Sequence, residues 1–292
     1  MKKILAITLV MILALTAFVG CGANSSDTAA DEAASGAAAE VTGTVITAGS
    51  TSVQPLSEEL AKAFMDANPG ITVEVQGGGS GQGIKAIQEK IADFGAISRE
   101  VKDEEKSSVV DQYVIAKDGV AVIVNPDAKV DNLTIEQIKK IYTGEIKNWK
   151  EVGGDDAPIT VVSREEGSGT RGAFTEITKV TSKDAAGKEI DSTTKDALVQ
   201  GSTGAVMQTV STTPNTIGYV SLGSLTDSVK TVKVEDVVPS KETVLSGEYK
   251  ISRPFIYTTG GELSEAAQMF VDFIMSAEGQ KIVEENGFIP VQ

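Results

Sequence analysis

Three turns of small residues, each placed between a short strand and an amphipathic helix, constrain the fold of this chain more than any other feature. They are Gly49-Ser50-Thr51-Ser52, Gly77-Gly78-Gly79-Ser80-Gly81 and Gly167-Ser168-Gly169-Thr170. Glycine allows positive φ and a close approach of backbone to ligand, and the first turn of a helix offers unpaired N–H groups at the positive end of its dipole. A single turn of this kind is commonly just an N-cap. Three of them, the last followed by Arg171, predict loops that converge on one oxyanion.

The segments around the first two turns predict an α/β sheet. Hydrophobic periodicity indicates strands over 45–48, 71–76 and 92–98 and helices over 53–67 and about 84–91, a βαβαβ order. The second of these helices is predicted from Ile84, Ile87 and Ile91. Ligands of such sheets bind outside the carboxyl ends of the strands, which is where the turns lie.

Later segments repeat the pattern. We predict strands over 120–124, 159–163, 217–220 and 254–257, helices over 134–142, 171–179 and 201–210, and an amphipathic helix within 266–286. The last helix carries Met269, Phe270, Phe273 and Ile274, and we expect its apolar face to return to the first domain. The first domain would then be discontinuous, with two chain crossings that form a hinge.

Composition excludes several classes of function. The 292 residues suit two domains. A formal charge of −15 argues against a nucleic-acid partner and means that an anion must be held by short, desolvated contacts. The chain contains no histidine, which excludes imidazole metal sites and Ser-His-Asp or Cys-His catalysis. We therefore expect no metal and no cofactor.

The N-terminus resembles a secretory leader. Lys2 and Lys3 precede an apolar run over 4–19 that ends at Gly20 and Cys21, which predicts a signal peptide over 1–20. The cysteine resembles the lipobox cysteine of bacterial lipoproteins, which implies a lipid-modified (palmitate-bearing) Cys21 that anchors the protein outside the cytoplasm. The alternative is an ordinary signal with an unpaired thiol nearby. Residues 21–40 are predicted to be a flexible tether.

Arg164 and Arg171 are the candidate cations of the third turn. Arg164 ends a strand and could offer its planar guanidinium to two oxygens, with Glu166 holding it in place. The alternative is a surface ion pair of Arg164 with the neighbouring glutamates, worth ~0–1 kcal/mol. Arg171 opposes the helix dipole by ~0.3–1 kcal/mol, which favours an anion at that position.

Asp93 is the candidate residue for distinguishing a protonated ligand from a fully ionised one. An ionised carboxylate only accepts hydrogen bonds, so it can satisfy a P–OH group and repel a fully ionised oxyanion. The alternative is a capping or hinge aspartate. Ser52 and the pair Ser98-Arg99 are second-rank candidates.

The chain resembles the PstS-type phosphate-binding proteins from about residue 44 to the C-terminus. The motifs that carry the resemblance are Gly49-Ser50-Thr51-Ser52-Val53-Gln54-Pro55, Gly79-Ser80-Gly81, Asp93-Phe94-Gly95-Ala96, Arg164-Glu165-Glu166-Gly167-Ser168-Gly169-Thr170-Arg171, Gly144-Glu145-Ile146-Lys147-Asn148-Trp149, Ile217-Gly218-Tyr219-Val220 and Ser252-Arg253-Pro254-Phe255. The resemblance implies an α/β, two-lobed periplasmic-binding-protein fold of type II with a ligand cleft between the lobes. The expected phosphate ligands are Thr51, Ser52, Ser80, Asp93, Arg164, Ser168, Gly169, Thr170 and Arg171.

The same resemblance implies the organisation and the partners of the chain. Lobe I would comprise residues 41–118 and 250–292, and lobe II residues 119–249. The protein would be a monomer that captures inorganic phosphate and delivers it to the permease subunits of an ABC importer.

Two other functions remain open. A binder of sulfate or molybdate on the same fold is disfavoured by Asp93, because these anions carry no proton at neutral pH. An esterase or phosphatase using Ser80 or Ser168 is disfavoured because the chain has no histidine base and no Gly-x-Ser-x-Gly elbow. We therefore expect a binding protein and not an enzyme.

Overall fold

Strands and helices alternate through residues 41–185 and 189–291, the part of the chain that this computed structural model describes. The predictions for the signal peptide, the tether and Cys21 lie outside these residues. None of the helices within the described ranges combines the length and the apolar character that crossing a membrane requires.

The order of elements follows the predicted alternation. The strands are β1 Gly43–Gly49, β2 Ile71–Gly77, β3 Phe94–Ile97, β4 Gln112–Val124, β5 Asn132–Leu133, β6 Thr160–Arg164, β7 Thr181–Lys183, β8 Glu189–Asp191, β9 Leu198–Gln200, β10 Thr216–Ser221, β11 Lys230–Thr231, β12 Lys233–Val234 and β13 Ser252–Thr258. The helices are α1 Gln54–Ala67, α2 Ser80–Gln88, α3 Ile135–Thr143, α4 Gly169–Ile177, α5 Thr203–Thr212, α6 Lys241–Leu245, α7 Glu265–Met275 and α8 Ala277–Glu285. Short 3-10 helices cover Lys106–Ser108, Trp149–Val152 and Leu222–Ser224.

One mixed sheet runs through the molecule in the order β2-β1-β3-β13-β4-β10-β6-β9. Strand β1 is parallel to β2 and β3, so these three strands end on the same side. Strand β6 is likewise parallel to β9 and β10. The first two small-residue turns follow β1 and β2, and the third follows β6, which places every turn at a carboxyl end.

Strand β4 joins the two halves of this sheet. Its first part, from Gln112 to Gly119, pairs antiparallel with β13, and its second part, from Val120 to Val124, pairs with β10. The predicted strand over 120–124 is the second part alone. The first part was not predicted because exposed and buried side chains are mixed along it and Lys117, Asp118 and Gly119 interrupt the apolar run.

Two large hydrophobic clusters pack on the sheet. The first cluster consists of side chains that precede Val120 or follow Ile251, namely from Val45 to Ala116 and from Phe255 to Phe288. The second consists of side chains between Val120 and Ile251, together with Ile289. Phe270 of α7 packs against Phe64 and Phe94 in the first cluster, as expected for the returning helix.

Local signals fix most helix ends. Thr134 and Gln137 form a capping box at the start of α3, and Gly144 ends that helix with φ 79°. One predicted helix is wrong in extent. Helix α2 ends at Gln88, and Ile91 lies beyond it with 63% of its surface exposed. The segment 266–286, predicted to contain an amphipathic helix, contains two, because the extended backbone of Ser276 ends α7 and caps α8.

Candidate oxyanion site

Seven hydroxyl side chains lie in one hydrogen-bonded group at the carboxyl ends of the strands. Thr51 is half-buried and the other six are buried. This hydroxyl cluster consists of Ser50, Thr51, Ser52, Ser80, Ser98, Thr170 and Thr203. Its members come from the turn after β1, the first residues of α2, α4 and α5, and the end of β3.

Ser98 lies at the centre of one part of the hydroxyl cluster. Its Oγ accepts a hydrogen bond from Ser50 Oγ at 2.8 Å and lies 3.4 Å from Ser80 Oγ. Its backbone N–H donates to Ser80 Oγ at 3.1 Å. The turn after β1, the start of α2 and the end of β3 are thereby held together.

Ser52 connects the other part of the hydroxyl cluster. Its Oγ lies 2.8 Å from Thr170 Oγ1 and 3.0 Å from Thr203 Oγ1, and its backbone N–H donates to Ser50 Oγ at 3.3 Å. These contacts bring the first turns of α4 and α5 to the turn after β1. A helix N-terminus favours negative charge, so this convergence suits an anion.

Arg164 supplies the positive charge of the site. Its side chain is 2% exposed, and its Nη1 and Nη2 donate to Thr203 Oγ1 at 3.2 Å and to Thr51 Oγ1 at 3.1 Å. Its Nε and Nη2 donate to the two carboxylate oxygens of Glu165, each at 2.8 Å. The prediction that Glu166 holds this guanidinium is therefore wrong, because the side chain of Glu166 is exposed.

Tyr219 supports the strand that carries Arg164. Its hydroxyl accepts the Arg164 backbone N–H at 3.2 Å and lies 2.9 Å from Ser163 Oγ. Burial raises the pKa of Tyr219 to about 12, so this hydroxyl keeps its proton at neutral pH. The tyrosine ring stacks on Phe174 of α4 with centroids 4.0 Å apart, which ties β6 and α4 to one core.

The small residues of the second and third turns allow a close approach. Gly81 donates its backbone N–H to Gly167 O at 3.0 Å. A Cβ atom on Gly169 would collide with Ser80 Oγ and Ser98 Oγ, so only glycine fits at the first position of α4. Ser168 is buried and caps this helix, since its Oγ accepts the Arg171 N–H at 3.3 Å.

Asp93 does not lie in the hydroxyl cluster, contrary to the prediction. It precedes β3, and its Oδ2 accepts the Ile46 N–H at 2.8 Å, while Ser98 follows the opposite end of that strand. At about 3.3 Å per residue, the sequence separation of five between Asp93 and Ser98 corresponds to roughly 16 Å. Asp93 instead lines a cavity of about 370 Å³ with Lys90 and Glu262.

Arg171 also differs from its predicted role. Its Nε donates to Asp191 Oδ2 at 2.6 Å and its Nη1 donates to Arg164 O at 2.8 Å. The guanidinium thus ties the β7–β8 hairpin to the end of β6, and it makes no hydrogen bond to the hydroxyl cluster among those of the described residues. A cation is tolerated in the first turn of α4 because Asp191 pairs with it.

Sequence reasoning missed Ser50, Thr203 and the pair Asp118 and Arg253. A signal for Thr203 was present, because Gly201-Ser202-Thr203-Gly204 is a fourth small-residue turn that opens a helix. Arg253 lies behind the site, and its Nη1 donates to Ser98 O at 3.3 Å. No local pattern around Arg253 predicts its contact with Ser98, which is distant in sequence.

The site is built to hold an anion. Its groups are hydroxyls, helix N–H groups and one guanidinium, all of which can donate to an oxyanion. Within the described ranges, no group of three or more Cys, Asp or Glu side chains is arranged to hold a metal ion.

Comparison with known proteins agrees with this geometry. Residues 33–278 match the family described as a PBP superfamily domain. The chain is 35% identical over 294 residues to the phosphate-binding protein PstS of Bacillus subtilis, across 97% of this chain and 94% of that protein. It is 33% identical over 249 residues to PstS of Borreliella burgdorferi, across 84% of this chain and 88% of that protein.

Solved structures show the same fold. The chain is similar to a phosphate ABC transporter substrate-binding protein with bound phosphate from Clostridium perfringens, with a TM-score of 0.80 and 43% identity, across 86% of this chain and 100% of that chain. An ABC-type phosphate transport receptor from Vibrio cholerae gives a TM-score of 0.70 and 33% identity, across 84% and 99% of the two chains. The fold and the match over residues 33–278 define a protein of the PBP superfamily. Within that superfamily, the chain belongs to the PstS family of phosphate-binding proteins.

Proposed function

We propose that this chain is an extracytoplasmic solute-binding protein that captures inorganic phosphate and delivers it to an ABC importer. The observation that carries the proposal is the buried guanidinium of Arg164, which reaches hydroxyls on two different turns, Thr51 and Thr203. A guanidinium in a desolvated ring of hydroxyls and helix N-termini matches a small tetrahedral anion.

The phosphate oxygens accept hydrogen bonds from the site in place of water. The proposed ligands are Thr51, Ser52, Ser80, Ser98, Arg164, Gly169, Thr170 and Thr203, the glycine acting through its backbone. Charge-assisted hydrogen bonds contribute ~1.5–3 kcal/mol each, but their sum overstates affinity because desolvation and ordering oppose binding. Ser168 and Arg171 position α4 and the end of β6, and Asp93 has no part in binding.

The two halves of the sheet act as the two lobes of the binding protein. We assign residues 41–118 and 250–292 to lobe I and 119–249 to lobe II. The division of the two hydrophobic clusters supports this assignment except at Ile251 and Ile289, which pack with the second cluster. Thr51 with Arg164 and Ser52 with Thr170 are then contacts between lobes. Closure about the crossings near 118 and 250 buries the anion, and the permease recognises the closed form.

The N-terminal residues keep the protein at the membrane. We propose that residues 1–20 are cleaved as a signal peptide, that Cys21 becomes lipid-modified and that residues 22–40 form the tether. The basic and apolar pattern before Cys21 supports this anchor.

Isothermal titration calorimetry on the mature protein tests phosphate binding. We expect saturable heat with micromolar or tighter affinity. Arg164→Lys keeps the charge but loses the planar fork, and we expect at least about 10-fold weaker binding. Arg171→Lys is the matched control and should weaken binding much less, because its guanidinium is engaged by Asp191. A wild-type protein that gives no heat with phosphate would refute the proposal.

A further inference from the structure

A buried arginine lies behind the hydroxyl cluster and is not among the proposed phosphate ligands. Arg253 belongs to β13, and its side chain is 1% exposed. Its Nη1 donates to the backbone carbonyl of Ser98 at 3.3 Å, and its Nε and Nη2 donate to Asp118 Oδ2 at 3.2 and 3.0 Å. Each guanidinium nitrogen therefore has a protein partner, which favours an indirect role over direct contact with the anion.

The partners of Arg253 belong to both lobes of the proposed assignment. Asp118 and Arg253 are paired residues of two neighbouring antiparallel strands, at or next to the two crossings. Asp118 Oδ1 also accepts from Ser221 Oγ at 2.9 Å, and Ser221 ends β10 in lobe II. A hydrogen-bonded path thus runs from lobe II through the ion pair at the crossings to Ser98 in lobe I.

The guanidinium of Arg253 is also held by an aromatic ring. Its Cζ lies 5.4 Å from the centroid of the Phe255 ring, and that ring packs against Phe288 with centroids 5.3 Å apart. Both phenylalanines belong to the first hydrophobic cluster. Because a guanidinium is planar and its nitrogens are fixed relative to one another, it holds its acceptors more rigidly than an ammonium would.

Ser98 transmits this support to the hydroxyl cluster. Its backbone N–H donates to Ser80 Oγ at 3.1 Å, and its Oγ accepts from Ser50 Oγ at 2.8 Å. The backbone of Ser98 is thus held on one side by Ser80 and on the other by Arg253. Hydroxyls that are oriented before the anion arrives need not be ordered during binding, which removes an entropic cost.

We propose that Arg253 is a positioning residue for phosphate binding, which fixes Ser98 from behind and holds the lobe I part of the hydroxyl cluster in register with lobe II. This inference rests on the proposed phosphate site and extends it to residues that do not contact the anion. Asp118 acts through Arg253, because it neutralises the buried guanidinium and keeps it at the carbonyl of Ser98. Without this contact, Ser98 and its two hydroxyl partners must be ordered during binding, and phosphate affinity should fall by at least about 5-fold.

Arg253→Lys tests the inference, with phosphate calorimetry and urea unfolding on the same samples. Lysine keeps a positive charge for Asp118 but replaces three fixed nitrogens by one ammonium, and we expect the phosphate Kd to rise at least about 5-fold. Tyr249→Phe is the matched control, because it removes another buried donor to a backbone carbonyl, that of Val120, beside the first crossing. The control should lower the urea midpoint but leave the Kd within about 2-fold of the wild-type value.

The results separate a positioning role from a purely structural one. A folded Arg253→Lys protein whose Kd rises by less than about 5-fold would overturn the inference. So would a Tyr249→Phe protein that binds as weakly as Arg253→Lys, because loss of stability alone would then explain the effect.

A neutral double variant keeps the inference testable if Arg253→Lys does not fold. Asp118→Asn/Arg253→Met leaves no unpaired charge buried, and the same loss of affinity is expected. Phosphate binding at the wild-type level in this variant would overturn the inference. A wild-type protein that gives no heat with phosphate would instead refute the proposed function, which is a different result from equal binding by wild type and variant.

Discussion

Asp118 and Arg253 form a buried ion pair at the point where β4 and β13 lie side by side, with Arg253 Nη2 donating to Asp118 Oδ2 at 3.0 Å. Both side chains are 1% exposed. Ser221 Oγ donates to Asp118 Oδ1 at 2.9 Å, and Arg253 donates to the carbonyl of Ser98. The pair therefore connects a strand end in the second half of the sheet with a cluster residue in the first.

Asp118→Asn should destabilise the protein by about 3–5 kcal/mol, because it leaves the buried charge of Arg253 without its partner. Urea unfolding followed by circular dichroism measures the loss. Asp127→Asn, at an exposed position just after the same strand, is the control and should change stability by less than about 0.5 kcal/mol. Equal stability of the two variants would show that the pair contributes nothing.

Gly169→Ala should weaken phosphate binding strongly. The added methyl group collides with Ser80 Oγ and Ser98 Oγ, and overpacking of this kind costs about 1–3 kcal/mol. Gly172→Ala in the same helix is the matched control, since its Cβ would lie 3.5 Å from Arg99 Cδ, an ordinary contact. The control should bind normally and be up to about 1 kcal/mol more stable. Calorimetric Kd values for the two variants distinguish these outcomes.

Glu165→Ala should lower the stability of the ligand-free protein by about 1–3 kcal/mol, because Arg164 loses both of its charge-assisted partners on that side chain. Phosphate should restore part of the loss by pairing with the guanidinium. Thermal melts with and without phosphate measure both effects. Glu166→Ala, one residue away and exposed, should melt like the wild type, and a similar loss there would contradict the assignment.

The stabilising effect of Glu105 should disappear in acid. Burial alone raises the pKa of this carboxyl, but bidentate hydrogen bonds from Arg99, the Lys102 N–H and the charges of both residues outweigh burial and hold the pKa below 4.5. A lowered folded-state pKa contributes stability above the unfolded pKa, and this stability is lost as pH falls through the folded pKa.

Glu105→Gln should therefore be about 1–3 kcal/mol less stable than wild type near neutral pH, and the difference should shrink below about pH 4. Urea unfolding across this range measures it. Glu104→Gln is the exposed neighbouring control. A difference that does not change with pH would contradict the role of the carboxylate charge.

Local patterns predicted the turns and most helices, because caps and apolar spacing act over a few residues. Thr134 and Gly144 are examples, since both ends of α3 follow from neighbouring side chains. Ser80 and Gly169 could be predicted as site residues for the same reason, because each lies in the first turn of a helix that follows a strand.

Long-range partners could not be predicted. Asp93 lies at the start of the predicted strand over 92–98, the end opposite to the one where ligands bind, and only the chemistry of its carboxylate and its motif favoured it as a ligand. Arg171 was assigned to the anion because the hairpin that brings Asp191 to it has no strong sequence pattern. Arg253 and Ser98 are 155 positions apart, and only packing brings them together.

The continuous strand β4 has a consequence for how the protein melts. The first part of β4 is hydrogen-bonded to β13 and the second part to β10. If the sheet under one hydrophobic cluster unfolds, β4 therefore loses hydrogen bonds, and the sheet under the other cluster is weakened as well. Heat should therefore unfold both halves in one cooperative transition rather than as separable units, although among the described residues no side chain belongs to both clusters.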